Sequence, residues 1–271
     1  MRPGIFLDTG FNDGRFNMAL DANFLFLIEE RGLPPLLRVY GWDPPAVSLG
    51  YFQNPKESID LRRCHRFGVE VVKRPTGGRA ILHLDDFTYS FIALEEDIGE
   101  AKGLTGAYLT ISQALVEGLK VLGVEAKLER GKKEGVQSSK GRPCFASLSR
   151  YEIEVEGRKL VGSAQRRKGQ VILQHGSIPL KKGGLSITDL LPSSSGNLRG
   201  TNLSDALGRK VEFEELKGAI RKGFEIKFER RFISYHWNEL VSLLKSEAEG
   251  EAITSDYALN TDIREVNRFS A

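Results

Sequence analysis

The chain has 271 residues with 39 basic and 36 acidic side chains, and this near balance excludes a strongly basic nucleic-acid-binding protein. Its hydrophobic fraction of 40% is typical of a globular protein with a sizeable core, and charges or glycines interrupt every apolar run before it reaches the roughly 20 residues that span a bilayer. Two distant cysteines, no paired metal-ligand spacing and no signal-peptide pattern predict a cytoplasmic protein without a metal site.

The first half of the chain predicts three helices and four strands. Apolar residues crowd 17–31, and Gly32 with two prolines ends that helix. Residues 58–67 and 105–122 predict two further helices, each followed by a glycine. Short β-branched and aromatic runs between turn residues predict the strands 36–40, 46–51, 69–73 and 79–83.

Residues 129–142 differ from their surroundings, because lysine, glycine and serine dominate and no apolar face recurs. We expect a mobile loop there. Beyond it, apolar residues alternate with glutamates from Tyr151, and 158–167 and 170–178 predict the rest of an antiparallel meander. Weaker helical patterns follow at 213–224 and 237–244.

Strands and helices that do not alternate strictly predict an α+β fold, with a mixed, largely antiparallel sheet flanked by helices. We expect one domain over residues 1–248 and a polar C-terminal tail at 249–271.

Residues 73–83 are the first of three segments whose residue types packing does not require. The glycine pair Gly77–Gly78 lets backbone N–H groups approach a ligand closely. Arg74 or Arg79 would add charge-assisted contacts to phosphate or carbonyl oxygens. Taken alone, the segment is more simply explained as a hairpin turn with surface arginines.

Cys144 is the centre of the second segment. It follows a cationic loop and precedes a strand, so a substrate can reach it and nearby cations favour its thiolate. Free cysteines are usually buried and inert, and Cys64, three residues after Leu61 in a predicted helix, fits that description. Cys144 is therefore the candidate nucleophile.

Residues 157–165 and the following strand, 173–178, are the third segment. Lys159 lies 15 residues beyond Cys144, across one strand and a tight turn, so its ammonium group can approach the thiol. An isolated lysine is normally solvated, however, and His175 is more simply explained as a hydrogen-bonded core histidine than as an acid or base.

Several blocks in a fixed order are more specific than any one of these motifs. The blocks are Asn17–Asp21, Arg38–Trp42, Ser48–Gln53, Arg74–His83, Thr88–Ser90, Pro143–Phe145, Tyr151–Glu152, Gly157–Lys159, Gly162–Gln165 and Gln174–Ile178. In them the chain resembles the lipoate–protein ligase and octanoyltransferase family, and specifically its cysteine-bearing octanoyl-[acyl-carrier-protein]:protein octanoyltransferases. The similarity covers about the first two thirds of the chain, and Leu84 departs from the acidic residue usual after the histidine.

The resemblance implies a mixed α/β fold shared with biotin and lipoate ligases. It also implies that Cys144 attacks the octanoyl thioester of acyl carrier protein, that the phosphopantetheine thiol leaves, and that a lysine of a lipoyl domain attacks the new thioester. Lys159 would hold the acyl carbonyl and transfer protons in a partly apolar pocket. No nucleotide or other cofactor is needed, because one thioester replaces another before the downhill step to an amide.

The resemblance also implies a set of substrate-binding residues. They are Arg74, Thr76, Gly77, Gly78, Arg79, His83, Gly162, Ser163, Gln165 and His175. Backbone N–H groups near the glycine pair would stabilise the oxyanion, and Leu82, Val161 and Ile178 would line the acyl tail unless they only pack the core.

The implied partners are octanoyl-acyl carrier protein as donor and a lipoyl-domain protein as acceptor, such as glycine-cleavage H protein or a 2-oxoacid dehydrogenase E2 subunit. Neither nucleic acid nor a membrane is expected as a partner. Three alternatives remain: an ATP-dependent lipoate–protein ligase that forms an acyl-adenylate, an octanoyl amidotransferase between lipoyl domains, and a non-enzymatic lipoyl-domain-binding or acyl-sensing protein.

Overall fold

The computed structural model describes residues 2–99, 103–129, 151–192 and 200–248. Cys144, the predicted tail at 249–271 and all but the first residue of the loop predicted at 129–142 lie outside these residues. The strands are β1 (Gly4–Asn12), β2 (Leu36–Trp42), β3 (Ala46–Leu49), β4 (Glu70–Lys73), β5 (Ile81–His83), β6 (Asp86–Leu94), β7 (Lys127–Glu129), β8 (Glu152–Val155), β9 (Arg158–Lys168), β10 (Val171–Pro179) and β11 (Phe232–Tyr235). The helices are α1 (Gly14–Arg31), α2 (Pro55–Ser58), α3 (Leu61–Arg66), α4 (Glu95–Ile98), α5 (Gly103–Val121), α6 (Leu203–Leu207), α7 (Phe213–Phe228) and α8 (Trp237–Ala248).

Two sheets organise the fold. The large sheet has eight strands in the order β11-β1-β2-β6-β10-β9-β8-β7, and the small sheet has the order β4-β3-β5. Pairs of β1 with β2 and β11 are parallel, as is β3 with β4, and all other pairs are antiparallel. The mixed, largely antiparallel α+β architecture expected from the sequence is thereby confirmed.

Helices α5 and α7 cover one face of the large sheet and form the larger core with it. They cross at glycines, since a Cβ on Gly223 would lie 2.2 Å from the backbone nitrogen of Gly118. Between helix and sheet, Phe91 and Phe224 pack with their rings tilted by 51° and their centroids 5.1 Å apart. No helix of the described residues is long and apolar enough to cross a membrane.

Helix α1 and the small sheet cover the opposite face. Asp13 caps α1 by accepting a hydrogen bond from the N–H of Phe16, and Gly32, in the left-handed conformation, ends it. A compact cluster that includes Met18, Tyr40 and Val72 joins α1, β2 and the small sheet. The site described below lies in the layer between the two sheets.

The segment around Gly77 and Gly78 is not a hairpin turn, contrary to the simpler interpretation of the sequence. Strands β4 and β5 do not pair with each other, because each pairs with an opposite edge of β3. The chain between them therefore crosses the end of β3 as a loop, 74–80. Strands β1, β6, β7 and β11 were not predicted at all.

Candidate functional site

A small cleft lies between the sheets, where β2, β6, β9 and β10 face β3 and β5. Its apolar lining comes from Met18, Tyr40, Trp42, Ile81 and Ala164. Its polar lining comes from Ser48, Arg74, His83, Thr88, His175 and Ser177. Such a mixture of apolar walls and a few placed polar groups is typical of a small-molecule site.

Arg74 shapes the 74–80 loop from within. Its side chain is buried, and its guanidinium donates to the carbonyl oxygens of Ser48, Gly77 and Arg79 at 2.7 to 3.1 Å. The sequence suggested that this arginine contacts phosphate or carbonyl oxygens of a ligand. The structure directs it to two carbonyl oxygens of its own loop and to that of Ser48 on β3, where it fixes the positions of three peptide groups.

The glycines of the loop are needed for close approach. A Cβ on Gly50 would lie 2.0 Å from the carbonyl oxygen of Gly78, so β3 and the loop touch backbone to backbone. Gly78 has a φ of +94°, which side chains rarely adopt, and a Cβ there would meet the guanidinium of Arg74 at 2.7 Å. Among the described residues, nothing accepts a hydrogen bond from the backbone N–H of Gly77 or Gly78.

His175 connects the loop to helix α1. Its Nδ1 lies 2.8 Å from Oδ2 of Asp21, and its Nε2 lies 2.6 Å from the hydroxyl of Thr76. Burial lowers the pKa of His175, although the hydrogen bond to Asp21 acts in the opposite direction. A neutral imidazole therefore donates from Nδ1 to the carboxylate and accepts from Thr76 at Nε2.

Asp21 in turn belongs to a buried charge cluster. Arg38 donates to its Oδ1 at 2.7 Å, and Tyr40 donates to its Oδ2 at 3.0 Å. Burial alone would raise the pKa of Asp21, but the charge of Arg38 and the hydrogen bond with His175 outweigh burial and lower it. The aspartate stays ionised and holds His175 in one tautomer.

His83 forms a second buried relay. Its Nε2 lies 2.8 Å from the hydroxyl of Ser48, its Nδ1 lies 2.7 Å from Oδ2 of Asp86, and its ring stacks on Trp42 at 3.9 Å. Leu84 stands where the family usually has an acidic residue. His83 still has a carboxylate partner, Asp86, which lies two positions after Leu84. The departure at Leu84 therefore leaves no gap in this relay.

A β-bulge turns Lys159 toward the cleft side of the large sheet. Ile153 lies opposite Val161 but Glu154 lies opposite Lys159, so β9 carries one extra residue, Leu160. In a regular strand Lys159 and Val161 would share a face, whereas the extra residue places Val161 in the core beneath the helices and Lys159 on the other face.

Lys159 pairs there with a buried carboxylate. Its Nζ lies 2.6 Å from Oε1 of Glu152, and the two side chains are 5% and 0% exposed. The sequence predicted a partly apolar pocket around this lysine, and the structure supplies an ion pair instead. The described chain resumes at Tyr151, seven residues after Cys144, so this pair lies close in sequence to the candidate nucleophile.

The structure separates the other predicted binding residues of β9. Gly162 lines the cleft together with Ala164. Ser163 faces the helices, where its hydroxyl lies 2.8 Å from that of Tyr89, and the amide of Gln165 lies 3.2 Å from Gln174. The side chains of Ser163 and Gln165 lie on the helix-covered face of the sheet and do not line the cleft.

The predicted tail-lining residues do not reach the cleft either. Val161 and Ile178 are buried beneath the helices, and Leu82 packs against the core of the small sheet. Cys64 lies in that same core, as its spacing indicated, and burial followed by the charge of Asp60 raises its pKa to about 11. Among the described residues, no group of three or more His, Cys, Asp or Glu side chains could hold a metal ion.

Sequence reasoning did not single out Asp21, Ser48, Asp86 or Glu152 as site residues. Each is a polar side chain at most 7% exposed within a predicted element or beside one, and only the tertiary contacts show its role. Asp21, Ser48 and Glu152 did fall inside the family blocks, which was the one available signal.

Comparison with known proteins identifies the class. Residues 13–225 match the family model described as the lipoyl protein ligase A/B catalytic domain. A lipoate-protein ligase A determined with ATP has a TM-score of 0.71 at 23% identity, with 95% of this chain and 98% of that chain covered. A putative lipoate protein ligase from T. acidophilum has a TM-score of 0.69 at 22% identity over 95% of this chain and 99% of that one. The chain belongs to the lipoyl protein ligase A/B catalytic domain family.

Relatives at higher identity narrow the class further. A protein of Moorella thermoacetica named Octanoyltransferase LipM is 40% identical over 237 residues, with 84% of this chain and 87% of that protein covered. One of the same name from Bacillus subtilis is 37% identical over 81% of this chain and 84% of its own length. These relatives support an acyltransferase that carries out octanoyl transfer in lipoate biosynthesis.

Proposed function

We propose that this chain moves an octanoyl group from octanoyl-acyl carrier protein, through a thioester on Cys144, to a lysine of a lipoyl domain. The observation that carries the proposal is the buried pair of Lys159 and Glu152, held on the cleft side of β9 by a bulge. A buried lysine–carboxylate pair costs desolvation free energy that hydrophobic residues would not, which favours a functional reason for its presence.

The reaction has two acyl-transfer steps. In the first, the Cys144 thiolate attacks the thioester carbonyl carbon, the tetrahedral adduct collapses, and the phosphopantetheine sulfur leaves and takes up a proton. In the second, the neutral amine of the acceptor lysine attacks the Cys144 thioester, loses a proton, and releases the Cys144 sulfur. No bond is oxidised or reduced, and no nucleotide is consumed.

The 74–80 loop is proposed to bind the reacting carbonyl. Because Arg74 holds the carbonyl oxygens of Gly77 and Arg79, the loop is rigid before substrate arrives. The N–H groups of Gly77 and Gly78, which have no acceptor among the described residues, are then available to the oxyanion. The hydrogen bond between Thr76 and His175 fixes the position of the loop relative to β10.

Lys159 is proposed to act on the carbonyl and on the proton of the incoming amine. Glu152 orients its ammonium group and can take a share of its proton when the tetrahedral adduct forms. The apolar side of the cleft, with Met18 and Ile81, receives the acyl tail.

The proposed acceptors are glycine-cleavage H protein or an E2 subunit. The proposed catalytic domain is residues 1–248.

The covalent intermediate tests the proposal. The protein is mixed with octanoyl-acyl carrier protein, without ATP or acceptor, and its intact mass is recorded. We expect one added octanoyl group that maps to Cys144, is removed by neutral hydroxylamine, and moves to a lipoyl-domain lysine when acceptor is added. An unchanged mass, together with transfer that requires ATP and free octanoate, would overturn the cysteine route in favour of the ligase chemistry.

A further inference from the structure

Arg79 and Arg166 differ from most charged residues near the cleft because neither has a carboxylate partner. Across residues 2–99, 103–129, 151–192 and 200–248, the ion pairs include neither side chain, whereas the adjacent Arg167 pairs with Glu95 at 2.8 Å. Nη1 of Arg79 is buried and has no hydrogen-bond partner among those residues. A buried donor without an acceptor is costly, and a bound anion would remove that cost.

Both arginines belong to, or are bonded to, the loop at the cleft. Arg79 belongs to the loop, and Nη1 of Arg166 donates to the carbonyl oxygen of Pro75 at 3.1 Å. On β9, Arg166 shares a face with Ala164 and Gly162, which line the cleft, and one alternation of about 7 Å separates it from Ala164.

An exposed aromatic pair lies beside Arg166, and we take this side as the mouth of the cleft. The guanidinium of Arg166 lies 5.3 Å from the ring centre of Tyr51, and Phe52, 90% exposed, packs edge-on against Tyr51. The backbone N–H of Tyr51 donates to the carbonyl oxygen of Thr76, so the pair is tied to the same loop. Apolar contact surface and uncompensated positive charge therefore occur together at the entrance.

We infer that Arg79 and Arg166 form a subsite for the phosphodiester of the donor's phosphopantetheine arm. The inference rests on the proposed function. The arm carries the thioester at one end and an anionic phosphodiester at the other, so a thioester held inside the cleft places the phosphodiester toward the mouth. Guanidinium groups suit phosphate oxygens because their planar donors match them in geometry and charge.

The acceptor is a poorer occupant of the same subsite. Its reacting lysine is itself a cation, which two uncompensated arginines repel rather than attract. The subsite therefore favours the donor over the acceptor, although both react in the same cleft. The donor is the partner that reacts first.

The experiment compares two small donors that differ in one group, octanoyl-4′-phosphopantetheine and octanoyl-pantetheine. For the full-length protein, kcat/KM is measured with each donor and a lipoyl-domain acceptor, and the ratio is the phosphate preference. We expect Arg166→Gln and Arg79→Gln each to reduce this ratio about tenfold, the loss that one charge-assisted hydrogen bond predicts. Arg167→Gln is the matched control, since Arg167 pairs with Glu95 on the other face of β9.

Further outcomes decide between a binding role and a loop-supporting role. A preference that falls in both variants, stays in Arg167→Gln, and weakens with added salt in the unmodified protein supports the subsite. An equal fall in kcat/KM with both donors overturns the subsite. A phosphate preference unchanged from that of the unmodified protein overturns it as well. Absence of transfer from octanoyl-acyl carrier protein itself in the unmodified protein would instead contradict the octanoyltransferase proposal, whereas activity with that donor and none with either small donor would overturn the subsite as a determinant of donor binding.

Discussion

The hydroxyl of Thr76 lies 2.6 Å from Nε2 of His175, although 99 residues separate the two in sequence. Through this contact the loop over the cleft is bonded to the middle of the large sheet, and through Asp21 to helix α1. Both partners are buried, so no solvent molecule readily replaces either group if it is lost. The position of the Gly77–Gly78 peptides therefore depends on this one hydrogen bond as well as on Arg74.

Thr76→Val should loosen the loop, because valine keeps the shape of threonine but leaves Nε2 of His175 without a donor. We expect a loss of about 1 to 2 kcal/mol in the free energy of unfolding and at least a tenfold fall in kcat, since an oxyanion donor must be well positioned. Thr76→Ser keeps the hydroxyl and should retain most activity. Urea unfolding and steady-state octanoyl transfer measure both effects, and equal activity of the two variants would contradict the role.

The pH dependence of stability should carry a contribution from His175. Its pKa is lowered from the ordinary value of 6.5 by burial, against the pull of Asp21, and the nearby charge of Arg74 lowers it further. The unfolded chain therefore binds a proton on this imidazole at a higher pH than the folded chain does. This contribution is complete above the unfolded pKa and is lost as the pH falls below it toward the folded pKa.

Urea unfolding between about pH 7.5 and 5 checks this direction, with His175→Gln as the reference chain. We expect the unmodified protein to lose more stability than the variant across that range. The pKa of Asp21 is lowered from an ordinary value of 3.8, so this carboxylate titrates below the pH range measured and does not imitate the effect. Parallel pH profiles for the two proteins would rule out a neutral buried His175.

The sequence predicted the meander well because its strands show their alternation directly. Strands β9 and β10 were expected at 158–167 and 170–178 and occur at Arg158–Lys168 and Val171–Pro179. Strand β6 was missed, although its aromatic residues at 87, 89 and 91 alternate with polar ones. Its polar residues are buried too, because they face a second layer of structure instead of solvent.

The site was less predictable than the fold for a physical reason. Motif blocks located the loop and the lysine strand, but the partner of each side chain depends on contacts between distant segments, such as the 154 residues between Asp21 and His175. Regular alternation would place Lys159 and Ser163 on one face of β9. The bulge at Leu160 separates them, and nothing in the local sequence marks its position.

Lys159→Ala should lower both transfer and stability, since it removes the buried ammonium group that lies 2.6 Å from the carboxylate of Glu152. Breaking such a pair costs about 3 kcal/mol, so a loss of activity alone would not show a chemical role. The double variant Glu152→Gln/Lys159→Ala removes both charges. We expect it to recover much of the stability, measured by urea unfolding, without recovering transfer.

Lys159→Arg separates charge from proton transfer at the same position. Arginine keeps the positive charge beside Glu152 but cannot shed a proton at working pH, so we expect transfer nearly as slow as in Lys159→Ala. Stability should stay closer to that of the unmodified protein than in the alanine variant. Full activity of Lys159→Arg in steady-state assays would limit the lysine to an electrostatic role.

The two cysteines should respond in opposite ways to substitution by serine. Burial and the charge of Asp60 raise the pKa of Cys64 to about 11, so its thiol stays protonated and unreactive at neutral pH. Cys64→Ser should lose about 1 kcal/mol of stability, because a hydroxyl replaces a thiol in an apolar core, and should retain most activity.

Cys144→Ser should abolish transfer and fold normally. Alkylation by iodoacetamide near neutral pH should label Cys144 first, and prior octanoylation should protect it. Comparable loss of transfer in both serine variants would contradict the assignment of Cys144 as the nucleophile.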